Sequence, residues 1–352
     1  MSTAAGNNST VFLDSEFRYT VFPVFYSLVF ALGLIANLGA LIVLRRIREA
    51  KAMNEIRIYM TNLAVADLLF VCVLPPWISY YKEHGDWHFS EALCRITGTM
   101  FFINTYCSIL FLAVISFNRY WAVTKPLDAA SSNHRQRGIL VSMAIWAATL
   151  SMSTYYLVVP GTNKENGTTR CFEGYHHESD KTKWTVVITH FLILALFLLV
   201  FLLVVVCNVL IGRALMSQKL KQAGRQRWGL KKHALWMVCL VVAVFVICFL
   251  PHHMVQGPWA YAVLGLANGW EKETGQQLND AHQVTLMLMG LNCLLDPVVY
   301  CFATRKFRRY VASHLRGLRR GKSCTSQTAS TNLSLGHHNH IQLIGDQPAP
   351  KR

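Results

Sequence analysis

Charge is what this sequence has least of. Only 15% of its 352 residues are Asp, Glu, Lys or Arg, against 53% apolar, a balance that excludes an ordinary soluble domain of this length, where about a quarter of residues carry charge. A cleavable leader is missing too: residues 1–18 have no basic stretch followed by a short apolar run and a small-residue cleavage site. The first apolar run is therefore read as its own insertion signal. What is present instead is seven long apolar runs: Tyr19 to Leu44, Ile58 to Tyr81, Ile96 to Phe117, Gly138 to Pro160, Trp184 to Gly212, Ala234 to Trp270 and Ala281 to Thr304. Each is long enough for a bilayer crossing, which takes roughly 20 residues as a helix. Five contain no Asp, Glu, Lys or Arg; the exceptions are Asp67 in the second run and Asp296 in the seventh. The fold class predicted is an all-α membrane protein, a seven-transmembrane helix bundle spanning residues 19–303.

The net charge of +16 would suit nucleic-acid binding if the basic residues formed one patch. They do not. They crowd alternate connections, Arg45 to Arg57, Lys125 to Arg137, Arg213 to Lys232 and Arg305 to Lys322, while acids such as Asp14, Glu83, Glu173 and Glu273 crowd the others. Basic loops stay inside. This predicts a multi-pass plasma-membrane protein with residues 1–18 extracellular and the C-terminus cytoplasmic. Sequons at Asn7, Asn8 and Asn166 then fall on the glycosylated side, and a fourth at Asn332 falls inside. Of ten cysteines, seven lie in apolar runs, where Cys packs as a small apolar residue. Cys94 and Cys171 face the oxidising side and are expected to form a disulfide. Cys324 follows a basic segment at the inner surface and is a palmitoylation candidate.

Beyond the seventh run, residues 304–318 place Phe307, Tyr310, Val311, His314, Leu315 and Leu318 at helical spacing, with basic residues between. This predicts an amphipathic helix on the inner membrane surface. Residues 319–352 read as a polar cytoplasmic tail, disordered by composition, whose Ser and Thr between Ser323 and Ser334 would be kinase targets.

Ionisable groups inside a bilayer are expensive and mark function. Asp67 and Asp296 are expected to form a polar cluster with Asn62, Asn104, Ser108 and Asn292, with Asn37 at its edge. Two carboxylates in low dielectric share a proton or are bridged by a cation, and oxygen-rich surroundings suit sodium at Asp67. An ion-coupled transporter would use the same pair, although no internal repeat supports that reading.

In chain order the sequence carries Asn37, Asn-Leu-Ala-Val-Ala-Asp ending at Asp67, Cys94, Asn118-Arg119-Tyr120, Trp146, Cys-Phe-Leu-Pro ending at Pro251, and Asp296-Pro297-Val-Val-Tyr300. Together these resemble the rhodopsin-like (class A) G-protein-coupled receptors. The resemblance implies that Arg119 meets the G protein or locks the inactive state, that Phe249 and Pro251 form the hinge of the sixth helix, and that Tyr300 rearranges on activation. Four departures stand out: Asn118 replaces an acid, Phe249 a Trp and Asp296 an Asn, and the fifth run has neither Pro nor Tyr. The missing acid beside Arg119 predicts appreciable agonist-independent signalling.

Two ligand classes are excluded by what is lacking. Residues 276–302 contain no Lys, which retinal needs for its Schiff base, and the third run has no Asp about one turn inside Cys94, which amines need. An aromatic and amide-rich set remains near the outer half of the bundle: Trp77, Phe101, Phe102, Phe172 and Trp259, with His190, His252, His253, Gln256, His282, Gln283 and Thr285. Rings accept an alkyl chain or the face of a quaternary ammonium, and imidazoles and amides donate to phosphate or ester oxygens. Zinc is not expected, because adjacent His252 and His253 point in two directions on a helix and no thiolate partner is identifiable.

Within the family, the words Asp14 to Thr20, Phe101 to Ser108, Arg170 to Glu173, Pro251 to His253, Asn279 to Leu286 and Leu295 to Phe302 resemble a receptor for an acetylated ether phospholipid. That resemblance implies no cofactor and no enzymatic activity. It implies a Gq or Gi heterotrimeric G protein, phospholipase C and calcium, and receptor kinases and arrestin at the tail. A receptor for another lipid or a nucleotide, and an ion-coupled transporter, stay open.

Overall fold

A computed structural model describes residues 14–47, 54–125, 134–165, 167–173, 180–217, 225–266, 272–304, 306–313 and 316. Among these, seven helical spans are long and apolar enough to cross a bilayer: Phe17–Arg46, Glu55–Lys82, Glu91–Thr124, His134–Val158, Lys181–Met216, Leu235–Val263 and Glu273–Cys301.

The first span is one helix, α1 (Phe17–Arg46). The second is two, α2 (Asn54–Cys72) and α3 (Leu74–Lys82), broken at Val73. Pro75 and Pro76 cause the break: proline is harmless in a first helical turn but cannot continue a hydrogen-bond ladder, so a new helix starts there. Helices α4 (Glu91–Thr124), α5 (His134–Val158) and α6 (Asp180–Ser217) supply spans three to five.

The sixth span joins α7 (Arg225–Val244) to α8 (Leu250–Val263) through a π-helical turn at Phe245–Phe249, immediately before Pro251. The apolar run predicted to Trp270 stops at Val263. The stop is a left-handed Gly265 (φ 70°), with Gly265 N–H donating to Ala262 O (3.1 Å) and Leu266 N–H to Tyr261 O (3.2 Å), a glycine C-cap that hydropathy does not register. The seventh span begins earlier than predicted, with α9 (Lys272–Met289), turns at Gly290–Leu291, and continues as α10 (Asn292–Ala303).

The segment predicted as the amphipathic helix is helical at residues 306–313, where Thr304 Oγ1 accepts from Phe307 N–H (3.2 Å). The tail, Cys324, Asn7, Asn8 and Asn166 lie outside the described residues.

The long loop predicted between the fourth and fifth spans contains an antiparallel hairpin, β1 (Thr162–Glu165) with β2 (Thr168–Cys171), pairing Thr162 with Cys171 and Asn163 with Arg170. A disulfide ties Cys171 to Cys94 in the first turn of α4.

Span three is the axis of the bundle. It is 61% buried, against 28% for span five, and it packs on the second, fourth and fifth spans. Burial is inverted relative to a soluble protein: Ile35 and Leu199 are exposed, while Asp67, Ser108, Asn292 and Asp296 are buried. That inversion is what hydrocarbon solvent demands, since lipid covers apolar side chains and polar ones must meet inside.

Candidate functional site

At the disulfide end of the bundle the helices enclose a cavity of about 840 Å³. Every residue of the predicted pocket set lines it except Thr285. Thr285 lies behind the lining, donating to His282 O (3.0 Å) and meeting His252 Nδ1 at 3.4 Å. It supports an imidazole and does not form the wall.

One wall is aromatic. Trp77 stacks beside Tyr81 (6.0 Å between centroids), Phe101 packs edge-on to Phe70 (5.4 Å), and Phe102 meets Tyr106 (4.4 Å) and Tyr156 (5.0 Å). Phe172, in a left-handed backbone conformation (φ 56°), follows the disulfide and drops its ring against Gly98. A Cβ at residue 98 would stand 2.1 Å from that ring, so only glycine permits the approach.

The opposite wall is imidazole and amide. His282 stacks on Trp259 (3.8 Å, planes 7° apart), and Trp259 Nε1 donates to Asn279 Oδ1 (3.1 Å). His252 is 5.0 Å from His282. His253 stacks on Phe197 (4.0 Å), and its Nδ1 lies 2.8 Å from Phe249 O; His190 Nδ1 lies 2.7 Å from Val186 O. A carbonyl accepts only, so both rings carry their proton on Nδ1. Gln256 and Gln283 complete this wall. Among the described residues no three His, Cys, Asp or Glu side chains are placed to hold one metal ion.

Sequence reasoning missed the charged mouth of the cavity. Arg18 and Glu173 both line it. Arg18, though 1% exposed, donates to Glu173 through both Nη1 (2.6 Å) and Nη2 (3.0 Å), and it also meets Asp14 (2.9 Å) and Tyr19 OH (2.7 Å). The signal was available: an arginine inside the quoted word Asp14 to Thr20, at the edge of an apolar run.

Deeper in, Asp67, Asn104, Asn292 and Ser108 are linked by hydrogen bonds, with Asp296 buried and outside that chain of bonds. Asn104 Nδ2 donates to Asp67 Oδ1 (2.9 Å), and Asn292 Nδ2 donates to Asn104 Oδ1 (3.2 Å) and Ser108 Oγ (2.9 Å). Asn37 donates to Cys293 O (2.9 Å) at its edge. Asn62 is a correction: it turns to the fourth span, accepting from Trp146 Nε1 (2.9 Å) and donating to Ser142 Oγ (3.3 Å). Asp67 Oδ2, both Asp296 oxygens and Asn292 Oδ1 are buried with no hydrogen-bond partner among the described residues. That surplus of acceptors fits a sodium ion or shared protons, and does not fit two bare carboxylates.

The predicted switch residues lie along the lower half. Phe249 is fully buried in the π-helical turn before Pro251, Tyr300 is fully buried below Asp296 and Pro297, and Asn118, Arg119 and Tyr120 sit at the opposite end of α4 from the disulfide. Also at that end is an unpredicted cluster: buried Glu55 accepts from Arg137 Nη2 (2.6 Å) and Nε (2.9 Å) and from Tyr59 OH (2.7 Å), with His134 at 3.3 Å.

The signature of the 7 transmembrane receptor (rhodopsin family) matches residues 36–300. The chain is 46% identical to the platelet-activating factor receptor of Cavia porcellus over 93% of its own length and 95% of that protein's, and 46% identical to that of Homo sapiens over 91% and 92%. It is 35% identical to lysophosphatidic acid receptor 4 of Homo sapiens over 88% and 82%. These matches cover the helices, the disulfide and the cavity together: the chain belongs to the rhodopsin family of seven-transmembrane receptors.

Proposed function

We propose that this chain is a plasma-membrane receptor for platelet-activating factor, an ether phospholipid with an acetyl arm and a phosphocholine head. One observation carries the reading: a single cavity gathers an aromatic wall and an imidazole and amide wall, the two surfaces an acetylated ether lipid requires. Near-full-length similarity to receptors named for that ligand supports it. The aromatic residues pack around the head group and the alkyl chain; the imidazoles, with Gln256 and Gln283, donate to its ester and phosphate oxygens.

The disulfide end faces outside, where Cys94 and Cys171 oxidise, and the basic connections face the cytoplasm. Agonist shifts a two-state equilibrium that runs through Phe249, Pro251 and Tyr300 to Arg119, opening the inner face to a Gq or Gi heterotrimer and raising calcium. Asp67 and Asp296, with Asn104, Ser108 and Asn292, hold a sodium ion in the inactive state. The Ser/Thr-rich tail is the substrate of receptor kinases and the docking segment for arrestin. Asn7, Asn8 and Asn166 are the glycosylation acceptors and Cys324 the palmitoylated thiol.

The test is nucleotide sensitivity. Binding of radiolabelled platelet-activating factor to membranes from expressing cells is expected to weaken on adding a non-hydrolysable GTP analogue, as high-affinity receptor–G protein complexes dissociate. Binding indifferent to the nucleotide contradicts coupling and favours the transporter reading that the buried aspartate pair would also serve.

A further inference from the structure

The cavity that takes the lipid has few fixed charges for its size. Among its described lining residues the only Arg, Lys, Asp or Glu are Arg18 and Glu173, and they are bonded to each other. The pair spans two elements, Arg18 in the first turn of α1 and Glu173 two residues beyond the disulfide. Arg18 is almost wholly buried while Glu173 keeps 17% of its side chain exposed. Arg18 Nη2 also lies 2.9 Å from Asp14 Oδ1, so the buried guanidinium is held between two carboxylates, of which Glu173 is the one that lines the cavity and can be exchanged.

Unfilled hydrogen-bonding capacity lies beside it. Arg18 Nε and Trp77 Nε1 are buried donors with no hydrogen-bond partner among the described residues, His282 Nδ1 is a buried ring nitrogen likewise without one and is a donor in one tautomer, and all three residues line the cavity. Orphaned buried donors are costly, about 1–3 kcal/mol each, and natural structures rarely keep them without a ligand or water to fill them. They also converge. Trp77 stacks along Tyr81, whose ring packs on Phe22 (4.8 Å) one turn below Arg18 on α1. Ser15, one turn above Arg18, accepts from Asn279 Nδ2 (3.0 Å), one turn above His282 on α9. The Ser15–Asn279 bond therefore sets Arg18 and His282 at comparable depth. Two orphaned donors, one of them cationic, and an imidazole nitrogen lining one cavity describe an anion site.

We propose that Arg18 is the phosphate-binding residue of this cavity and that the Arg18–Glu173 pair is a latch opened by a zwitterionic head group. The phosphodiester takes the guanidinium from Glu173, and the freed carboxylate receives the quaternary ammonium, flanked by the Trp77, Tyr81 and Phe172 rings. Arg18 keeps Asp14 through the exchange, and the carboxylate it releases gains the ammonium, so neither Glu173 nor the phosphodiester is left in the cavity without a cation. It explains why the family-specific word around Arg18 and the Arg170 to Glu173 word both close on the cavity mouth. This inference rests on the ligand reading above and adds to it the residue that distinguishes a phosphocholine lipid from an uncharged one.

The experiment compares two probes on the full chain in cell membranes: platelet-activating factor, and the matching 1-O-alkyl-2-acetylglycerol, which lacks the phosphocholine. Surface expression is measured for every variant. Arg18→Gln is expected to weaken the response to platelet-activating factor tenfold or more while changing the potency of the uncharged lipid by less than about twofold. Loss of both responses together, or of neither, overturns the proposal. A second variant guards against a structural role: Arg18→Glu with Glu173→Arg, made together with Asp14→Asn so that Asp14 does not repel the introduced carboxylate, restores the ion pair with its poles reversed. If Arg18 acts only by holding Glu173, the swap returns platelet-activating factor to wild-type potency and the proposal is wrong; the proposal requires the deficit to persist at normal surface expression. A wild-type chain that answers neither lipid overturns the ligand reading, and this inference with it.

Discussion

Trp259 of the sixth span lies flat on His282 of the seventh, 3.8 Å between centroids and 7° between planes, and the same indole donates to Asn279 one turn above. The contact fastens the sixth span to the seventh on the extracellular side of Pro251. Trp259→Ala is expected to lower the potency of platelet-activating factor about tenfold, since a stacked ring pair contributes about 0.5–1.5 kcal/mol beyond its buried area and the hydrogen bond is lost with it. Trp259→Phe, which keeps the stack and loses only the donor, is expected to fall between. Agonist dose–response curves at matched expression check both.

Gly98 exists to admit Phe172. With a Cβ at residue 98 only 2.1 Å from the ring, Gly98→Val must expel Phe172 from the cavity. Saturation binding is expected to show at least tenfold weaker affinity with folding retained. Combining it with Phe172→Ala should bring no further loss, because both changes remove the same contact.

Glu55 sits at the other end, away from the ligand. It is buried and receives four polar contacts, from Arg137, Tyr59 and His134. Glu55→Gln removes a charge-assisted network and should cost about 1–3 kcal/mol of stability. Thermal inactivation of detergent-solubilised protein is expected at lower temperature, with affinity for platelet-activating factor changed by less than twofold. An affinity change without a stability change contradicts this assignment.

Sodium should oppose the agonist. Replacing N-methylglucamine by sodium at constant ionic strength is expected to weaken agonist binding several-fold in the wild type and to have little effect in Asp67→Asn, which removes one of the two carboxylates proposed to hold the ion. Equal binding in the two salts would remove sodium from the account.

The seven spans are legible in the sequence because hydropathy reads length and charge, which is all a lipid-facing helix needs. What hydropathy cannot read is where a helix breaks or stops. Val73 interrupts the second span although its residues are as apolar as their neighbours, and Pro75-Pro76 is the signal that carries the break. Gly265 ends the sixth span inside an apolar stretch, and the seventh begins in the polar turns around Gln276 and Asp280, which bond to the chain near Asp14 and Ser15. The imidazole and amide wall was legible because the seven apolar runs hold four histidines and two glutamines, and all six line the cavity. Arg18 was not, since a charge at the edge of a run reads as a boundary; only the fold shows it turned inward onto Glu173. Asn62 was placed with Asp67 because both lie on α2, but five residues of helix carry it to another face, toward Trp146.

The most direct test of the central claim is intracellular calcium in cells expressing the chain, titrated with platelet-activating factor beside its deacetylated lyso form. A saturable response to the acetylated lipid alone is the predicted result. Silence to both at confirmed surface expression, or equal potency of the two, would contradict the ligand assignment.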